Sequence, residues 1–195
     1  LDEMTAEGCD ELIDKTISLL NSEKIIPGEY DVICAPDITG LIAHEAFGHG
    51  VEMDMFLKDR AKSKDYIGKM VASPIVTMRD GSCAQEHCGS YFFDDEGVIG
   101  RDTTIIENGI LKSGINDELT ALALNNEFTG NGRRESFDRK AYTRMTNTFI
   151  EKGDSKLEEM IASIDYGFLI DDSQSGMEDP KNWGIQCIAS VGKEI

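Results

Sequence analysis

The sequence predicts an α+β fold in which an antiparallel-rich sheet is packed with helices. Two observations predict this class. Segments with apolar residues at helical spacing occur in both halves of the chain, and short β-rich stretches separated by turn residues lie between them. With 195 residues and 40% hydrophobic content, the chain is long enough to bury a core of its own. We therefore expect one large domain, or slightly more than one.

The N-terminal part predicts a helix, a strand and a second helix. Residues 5–22 predict an amphipathic helix whose buried face covers the core. That face carries Cys9, Leu12, Ile13, Thr16 and Leu20. The apolar run at residues 30–34 has the length of a strand and ends before Pro36, and residues 38 to about 56 have a helical pattern. A strand therefore leads into a longer helix.

The middle of the chain predicts short strands joined by turns. Residues 69–78 and 90–111 are β-rich, and Asn108-Gly109 is the strongest hairpin signal. The turns that separate these stretches are predicted at residues 79–82, 94–97 and 107–109. A capped helix is predicted over residues 116–126, and an exposed loop over the polar residues 130–140.

The C-terminal part predicts more strands and one short helix. Residues 142–150 have a strand pattern, and residues 156–164 predict a helix that is capped by Asp154-Ser155. Further strands are predicted near residues 166–170 and 184–191. Residues 191–195 resemble the first half of a hairpin without its returning strand, and the chain begins with Leu1 rather than Met. We therefore expect a fragment of a longer protein.

The charge balance argues against two classes of partner. Acidic residues outnumber basic ones 37 to 19, which gives a formal net charge of −18. Such a chain repels phosphate backbones and anionic lipid head groups, so we expect no direct nucleic-acid partner and no membrane association. No apolar run is long enough for a membrane span, and Asp2 and Glu3 stand where a secretory signal would carry positive charge. Five scattered cysteines predict reduced thiols and, with these observations, a cytoplasmic protein.

The segment His44-Glu45-Ala46-Phe47-Gly48-His49 carries the strongest chemical signal. Two imidazoles and one carboxylate are the working set of a hydrolytic zinc site. On a regular α-helix, residues five apart point about 140° away from each other, so convergence requires a π-bulge or a break at Gly48. The alternative, that the histidines are hydrogen-bonded structural residues, stays open on spacing alone.

Three other groups have a simpler structural interpretation. Glu52 and Asp54 could orient a ligand imidazole or bind a metal, or they could form a solvated acidic face. The cluster at residues 83–88 resembles a structural zinc site, but its spacing favours two buried thiols beside a surface histidine. Residues 94–97 predict a tight acidic turn, because the alternating acids of an EF-hand are absent.

Several stretches together resemble the TldD/PmbA family of peptidases, also called modulators of DNA gyrase. They are HEAFGHGVEMD, FFDDEGVIGRDTTIIENGILKSGINDELTA, FTGNGRRES, RMTNTFIEKGD and the helix that leads to IDYGFLI. The resemblance runs from about Pro27 to Ser190 in the same order. It implies that residues 27–195 are mainly the C-terminal catalytic domain of a larger protein, preceded by the helix at residues 5–22.

The resemblance also implies roles for individual residues. TldD-type members carry the His-Glu-x-x-x-His segment and PmbA-type (TldE) members lack it, so this chain resembles the catalytic type. His44 and His49 are then zinc ligands, and Glu45 is the general base that activates water. The family's third ligand, a cysteine in a Cys-Gly-Lys context, is expected beyond residue 195, and Cys187 does not take this role.

Family members hydrolyse unstructured peptides in a chamber formed by two subunits, so the resemblance implies a peptide substrate and a second TldD/PmbA-type subunit. The substrate could add to a sheet edge as an extended strand. Residues 129–134, which include Thr129, Gly130 and Asn131, and residues 144–147, which include Arg144, are expected to line its channel. Cationic Arg133, Arg134 or Arg144 could hold a peptide carboxylate, or these could be turn and ion-pair residues.

Two hypotheses of function follow. The first is a zinc-dependent peptidase that hydrolyses unstructured peptides or trims peptide precursors. The second is a non-catalytic scaffold or partner subunit of the PmbA/TldE type, which predicts neither zinc nor a requirement for His44 or His49.

Overall fold

A computed structural model describes residues 6–83 and 87–195. The first helix, α1 (Ala6–Leu20), agrees with the predicted helix, although position 5 lies outside the described residues. The prediction that α1 covers the core is wrong, because Leu12 and Leu20 are 64% and 81% exposed. Helical periodicity indicates that one face is apolar, but it does not specify what packs against that face.

The segment that follows forms a strand and then an interrupted helix. Strand β1 (Asp31–Cys34) is confirmed, and Pro36 occupies the first turn of the next helix, where its missing N–H is tolerated. The single helix predicted over residues 38–56 is divided, because Glu52 is extended (φ −63°, ψ 107°). The pieces are α2 (Pro36–Ile42), a π-helix (Ala43–Gly48), a 3₁₀ turn (His49–Val51) and α3 (Asp54–Leu57).

A four-stranded antiparallel sheet has the order β4-β3-β2-β7. Its strands are β2 (Met78–Gly81), β3 (Asp102–Glu107), β4 (Ile110–Leu111) and β7 (Thr148–Ile150). The Asn108-Gly109 hairpin is confirmed, since both residues have positive φ. The predictions of a strand at residues 69–78 and of a turn at residues 79–82 are wrong. Strand β2 begins only at residue 78 and runs through most of the predicted turn.

Strand β2 runs through residues that resemble a turn because Asp80 has partners in the interior. Asp80 is 1% exposed, and its carboxylate accepts hydrogen bonds from Asn131 Nδ2 (2.8 Å), Thr146 Oγ1 (2.7 Å) and Thr148 Oγ1 (2.6 Å). The backbone N–H of Thr146 also donates to it at 3.0 Å. These bonds connect β2 to two distant segments of the chain.

The predicted exposed loop at residues 130–140 is only partly exposed. Helix α4 (Glu118–Leu124) precedes it and is confirmed, with the carboxylate of Asp117 as its cap, one residue later than predicted. Strand β5 (Gly132–Arg133) then pairs with β6 (Tyr142–Thr143), and Asn131 is buried. The exposed-loop prediction is therefore wrong for residues 130–132, because their polar groups bond to protein partners.

A long hairpin forms the C-terminal part. Strands β8 (Gly167–Asp179) and β9 (Gly184–Glu194) pair antiparallel, and β1 lies parallel to β8 on its other side. Residues 191–194 therefore belong to the returning strand of a hairpin. The prediction that they form the first half of a hairpin is wrong. Helix α5 (Leu157–Ala162) is confirmed, but Lys156 is at its N-cap and makes no side-chain cap.

The buried core joins the interrupted helix to the four-stranded sheet. Its fully packed members are Ala43, Val51, Met78, Ile105, Ile106, Leu111, Ile115 and Met145. Because Ala43 and Val51 flank the histidine segment, burial of this core holds that segment against the sheet. No helix among the described residues is long and apolar enough to cross a membrane. The architecture confirms the predicted α+β class.

Candidate metal centre

The π-helix brings His44 and His49 together. The backbone N–H of His49 bonds to the carbonyl of His44, five residues earlier, instead of to the residue four earlier as in an α-helix. This wider turn places the two ring centroids 4.8 Å apart, with the rings at 87° to each other. The convergence that the five-residue spacing makes difficult is therefore present in the structure.

Glu45 completes a group with the chemistry of a metal site. One nitrogen of each histidine and a carboxylate oxygen of Glu45 all lie within 4.8 Å of one another. Among the described residues, this is the only group of three or more acidic, histidine or cysteine side chains that meets this criterion. Glu45 is 7% exposed, His44 is exposed and His49 is partly buried, so the group opens to solvent on one side.

A second carboxylate lies behind His49. Glu52 is 4% exposed, and its Oε1 lies 3.3 Å from His49 Nδ1, while its Oε2 lies 3.3 Å from the guanidinium of Arg144. The interpretation of Glu52 and Asp54 as a solvated face is wrong, since both are buried. A carboxylate on one imidazole nitrogen orients the ring and leaves the other nitrogen available to a metal.

The two histidines differ in their ionisation. Partial desolvation lowers the pKa of His44, and the neighbouring His49 lowers it further. The interaction with Glu52 raises the pKa of His49 against the opposing effect of burial. The surroundings thus favour a neutral His44, which is the form that coordinates metals.

The hairpin β8–β9 packs against the carboxylate of the group. Gly176 lies so close to Glu45 that an added Cβ would stand 2.6 Å from Glu45 Cγ, a distance that side chains do not tolerate. Cys187 is the cross-strand partner of Gly176, but its sulfur does not belong to the metal-competent group. Glycine at position 176 therefore leaves the space that the Glu45 side chain occupies.

Trp183, at the turn of the same hairpin, contacts the π-helix. Its Nε1 donates a hydrogen bond to the carbonyl of Ala46 at 2.8 Å. Its ring packs edge-on against Phe47 and Tyr66, with centroid distances of 5.3 and 5.1 Å. The tryptophan thus satisfies a backbone acceptor of the unusual turn and covers its apolar side.

Replacing Trp183 with Phe tests the contribution of this hydrogen bond. We expect Trp183→Phe to lower the free energy of unfolding by about 1 kcal/mol, because the Ala46 carbonyl loses its donor while most of the ring packing remains. Urea unfolding followed by circular dichroism measures the change. Trp183→Ala, which also removes the packing, should cost more. Equal stability of Trp183→Phe and the unmodified protein would show that the bond contributes nothing.

A cleft of about 510 Å³ opens beside the two histidines. Its other lining residues are Arg133, Arg134, Glu135, Tyr142, Arg144, Met145 and Thr146. Strands β5 and β6 supply Arg133 and Tyr142, and the residues that directly follow each strand supply the other five, so this small sheet borders the cleft. Tyr142 could not be identified from the sequence, because a single tyrosine between Ala141 and Thr143 belongs to no recognisable motif.

The residues expected to line a substrate channel fall into two groups. Arg144 lines the cleft. Thr129 and Asn131 are 8% and 1% exposed, and their side chains bond to Asn116 and Asp80. Thr129, Gly130 and Asn131 thus lie behind the cleft surface, and substrate contact by these three stays a prediction.

The second cysteine-histidine cluster is not a metal group in the described structure. Cys83 and Cys88 are exposed, so the prediction that they are buried is wrong, whereas His87 lies at the surface as predicted. All five cysteines are free thiols, as expected. The acidic turn is confirmed, since Asp94 accepts hydrogen bonds from the backbone N–H groups of Glu96 and Val98 and Gly97 has positive φ.

Two converging imidazoles and a buried carboxylate on one helical segment of an α+β domain are features of a metal-dependent hydrolase. Comparison with known proteins agrees with this class. Residues 27–194 match the family described as the PmbA/TldA metallopeptidase C-terminal domain. The chain belongs to this TldD/PmbA family.

Three relatives of similar sequence are named metalloproteases. A metalloprotease of Methanocaldococcus jannaschii is 39% identical over 166 residues, which are 85% of this chain and 37% of that protein. A metalloprotease TldD homolog of Buchnera aphidicola is 40% identical, over 84% of this chain and 34% of that protein. A zinc metalloprotease TldD homolog of Saccharolobus solfataricus is 37% identical, over 86% of this chain and 38% of that protein. The chain thus spans little more than a third of these relatives.

Solved structures share the fold. A Thermotoga maritima structure described as a modulator of a DNA gyrase has a TM-score of 0.71 and 28% identity, over 83% of this chain and 36% of that chain. TldE from Thermococcus kodakarensis has a TM-score of 0.72 over 95% of this chain and 46% of that one. At 23% identity, the second similarity concerns the fold alone.

Proposed function

We propose that this chain is the catalytic, TldD-type part of a zinc-dependent peptidase that hydrolyses unstructured peptides or trims peptide precursors. His44 and His49 bind the zinc ion, and Glu45 is the general base. The observation that carries the proposal is the convergence of the two imidazoles beside one carboxylate within a single π-helical turn. The name of the zinc-dependent relative from Saccharolobus solfataricus supports the choice of metal.

Each residue has a defined task in this proposal. When bound, zinc would supply a Lewis acid that polarises the peptide carbonyl. Glu45 takes a proton from the attacking water on its carboxylate and passes it to the leaving amine. Glu52, whose carboxylate lies 3.3 Å from His49 Nδ1, would orient the ring of His49 and leave Nε2 available as a ligand. A third protein ligand is expected beyond residue 195.

The whole protein is proposed to extend beyond this chain. Residues 27–195 would form most of its C-terminal catalytic domain, with α1 preceding it. The protein would work in the cytoplasm with a second TldD/PmbA-type subunit, which the fold similarity to TldE supports. Arg144 would contact the peptide, and so would Thr129, Gly130 and Asn131, which adjoin the cleft because Asn131 Nδ2 donates to the carbonyl of Arg144 at 3.0 Å.

The alternative is a non-catalytic partner subunit of the TldE type. TldE shares the fold of this chain, so the fold alone does not distinguish this alternative from the peptidase. The His44, Glu45 and His49 group favours the peptidase, because a scaffold has no use for converging metal ligands. Metal content separates the two.

Elemental analysis of the full-length protein tests the metal assignment. We expect about one zinc per chain, and at least tenfold weaker zinc binding in His44→Ala or His49→Ala, since a site with three protein ligands loses one of them. His87→Ala is the matched control, because His87 is the third histidine and lies outside the group. Zinc retained by both ligand variants, or absent from the unmodified protein, would contradict the proposal.

A further inference from the structure

The cleft beside the histidines has a cationic lining in a strongly acidic chain. Three of the seven arginines, Arg133, Arg134 and Arg144, line it together with His44, His49 and one acidic residue, Glu135. With a net charge of −18, the chain as a whole repels anions. A local concentration of guanidinium groups next to the metal-competent group therefore points to an anionic ligand for this cleft.

The three arginines differ in whether a carboxylate of the protein already neutralises their charge. Arg144 lies 3.3 Å from the carboxylate of Glu52 and donates to the carbonyl of Thr143 at 2.6 Å, so it is part of the support behind His49. Arg133 donates to the carbonyl of Met145 at 2.8 Å, a neutral partner. Neither Arg133 nor Arg134 pairs with a carboxylate anywhere in the described ranges 6–83 and 87–195.

The backbone holds these two guanidinium groups at the cleft. Arg133 belongs to β5, where it pairs with Tyr142 of β6. The backbone N–H of Arg134 donates to the carboxylate of Asp95 at 2.7 Å, which fixes the chain while leaving the side chain free. Both side chains are exposed, so an incoming ligand can reach them. Guanidinium groups bind carboxylates with paired, charge-assisted hydrogen bonds.

We propose that Arg133 and Arg134 form a subsite for a carboxylate of the bound peptide, in the first place its free C-terminal carboxylate. This inference rests on the proposed peptidase function and adds the class of peptide. The cleft volume of about 510 Å³ lies within the range of small-ligand sites, roughly 300–1,000 Å³, so it holds the end of a peptide rather than a folded domain. The carboxylate would bind at the arginines while the adjoining residues lie beside His44 and His49.

Binding to full-length protein that carries Glu45→Gln tests the subsite without turnover. Three fluorescent peptides of one neutral sequence serve as probes in anisotropy titrations: one with a free C-terminus, one amidated, and one amidated with an internal Asp. We expect the free-acid peptide to bind about tenfold more tightly than the amidated one, and Arg134→Gln to remove this preference. If the amidated peptide with the internal Asp binds more tightly instead, the bound carboxylate is that of a side chain, and this result also supports the arginine subsite.

Control variants distinguish carboxylate binding at this subsite from a general effect of charge and from carboxylate binding by the metal. Arg139→Gln removes a positive charge from the same loop but outside the cleft, so this variant should still prefer the free-acid peptide. Arg134→Lys keeps the charge and should retain part of that preference. Arg133→Gln should also weaken the preference. Equal affinity for all three peptides, or a preference that persists in Arg133→Gln and Arg134→Gln, would overturn the inference. These titrations measure binding alone, whereas absent peptide hydrolysis by the unmodified protein would refute the peptidase function.

Discussion

Glu45→Gln in the full-length protein should lower kcat/KM for peptide hydrolysis by about 10²–10⁴-fold and leave the zinc content unchanged, because the amide cannot accept the proton that a general base removes from water. The substitution preserves the shape of the side chain. This matters here because Gly176 packs directly against the carboxylate and leaves no room for a larger group. A fluorogenic peptide assay and elemental analysis of the same preparation give both values.

The matched control is Glu158→Gln, which makes the same chemical change at an exposed position of α5. It should keep full activity and full zinc content. Unchanged hydrolysis by Glu45→Gln would remove the general-base role. Loss of zinc together with loss of hydrolysis would instead make Glu45 a ligand, since its carboxylate oxygen lies within 4.8 Å of both imidazoles.

Asp80→Ala should lower the free energy of unfolding by about 3 kcal/mol or more, because it leaves buried donors without an acceptor. Asn131, Thr146 and Thr148 all donate to this carboxylate, at 2.6 to 2.8 Å. Thr146 also lines the cleft beside the histidines, so the loss should extend to the site. Urea unfolding curves of the full-length protein, compared at the transition of this domain, measure the effect.

Asp154→Ala is the control for this substitution, since Asp154 is exposed in the structure. It should change the free energy of unfolding by less than about 0.5 kcal/mol. Asp80→Asn keeps one acceptor oxygen, so its change in the free energy of unfolding should lie between those of Asp80→Ala and Asp154→Ala. An Asp80→Ala protein as stable as the control would show that the three donors find other partners.

The sequence predicted the fold class and many of the elements because they depend on local chemistry. The Asn108-Gly109 hairpin follows from two residues that tolerate positive φ, and α4 follows from its cap and its helix formers. Strand β2 could not be predicted, because Arg79-Asp80-Gly81 resembles a turn until the distant donors to Asp80 are known. Long-range partners outweighed local propensity there.

The candidate site was predictable only in part, for a similar reason. His44, Glu45 and His49 stand out by residue type, but their convergence depends on a wide turn that no local pattern specifies. Glu52 resembled a solvated acid because its partner, Arg144, lies 92 residues away. On sequence grounds Arg133 and Arg134 are either turn residues or carboxylate binders, and their common cleft with the histidines appears only in three dimensions.

The contacts that Gly176 and Trp183 make with the π-helix have a consequence for how the site is assembled. An excised peptide spanning α2 and the histidines would lack both contacts, and as an ordinary α-helix it would turn its two rings about 140° apart. The arrangement of the two rings therefore depends on packing of the C-terminal hairpin against the π-helix.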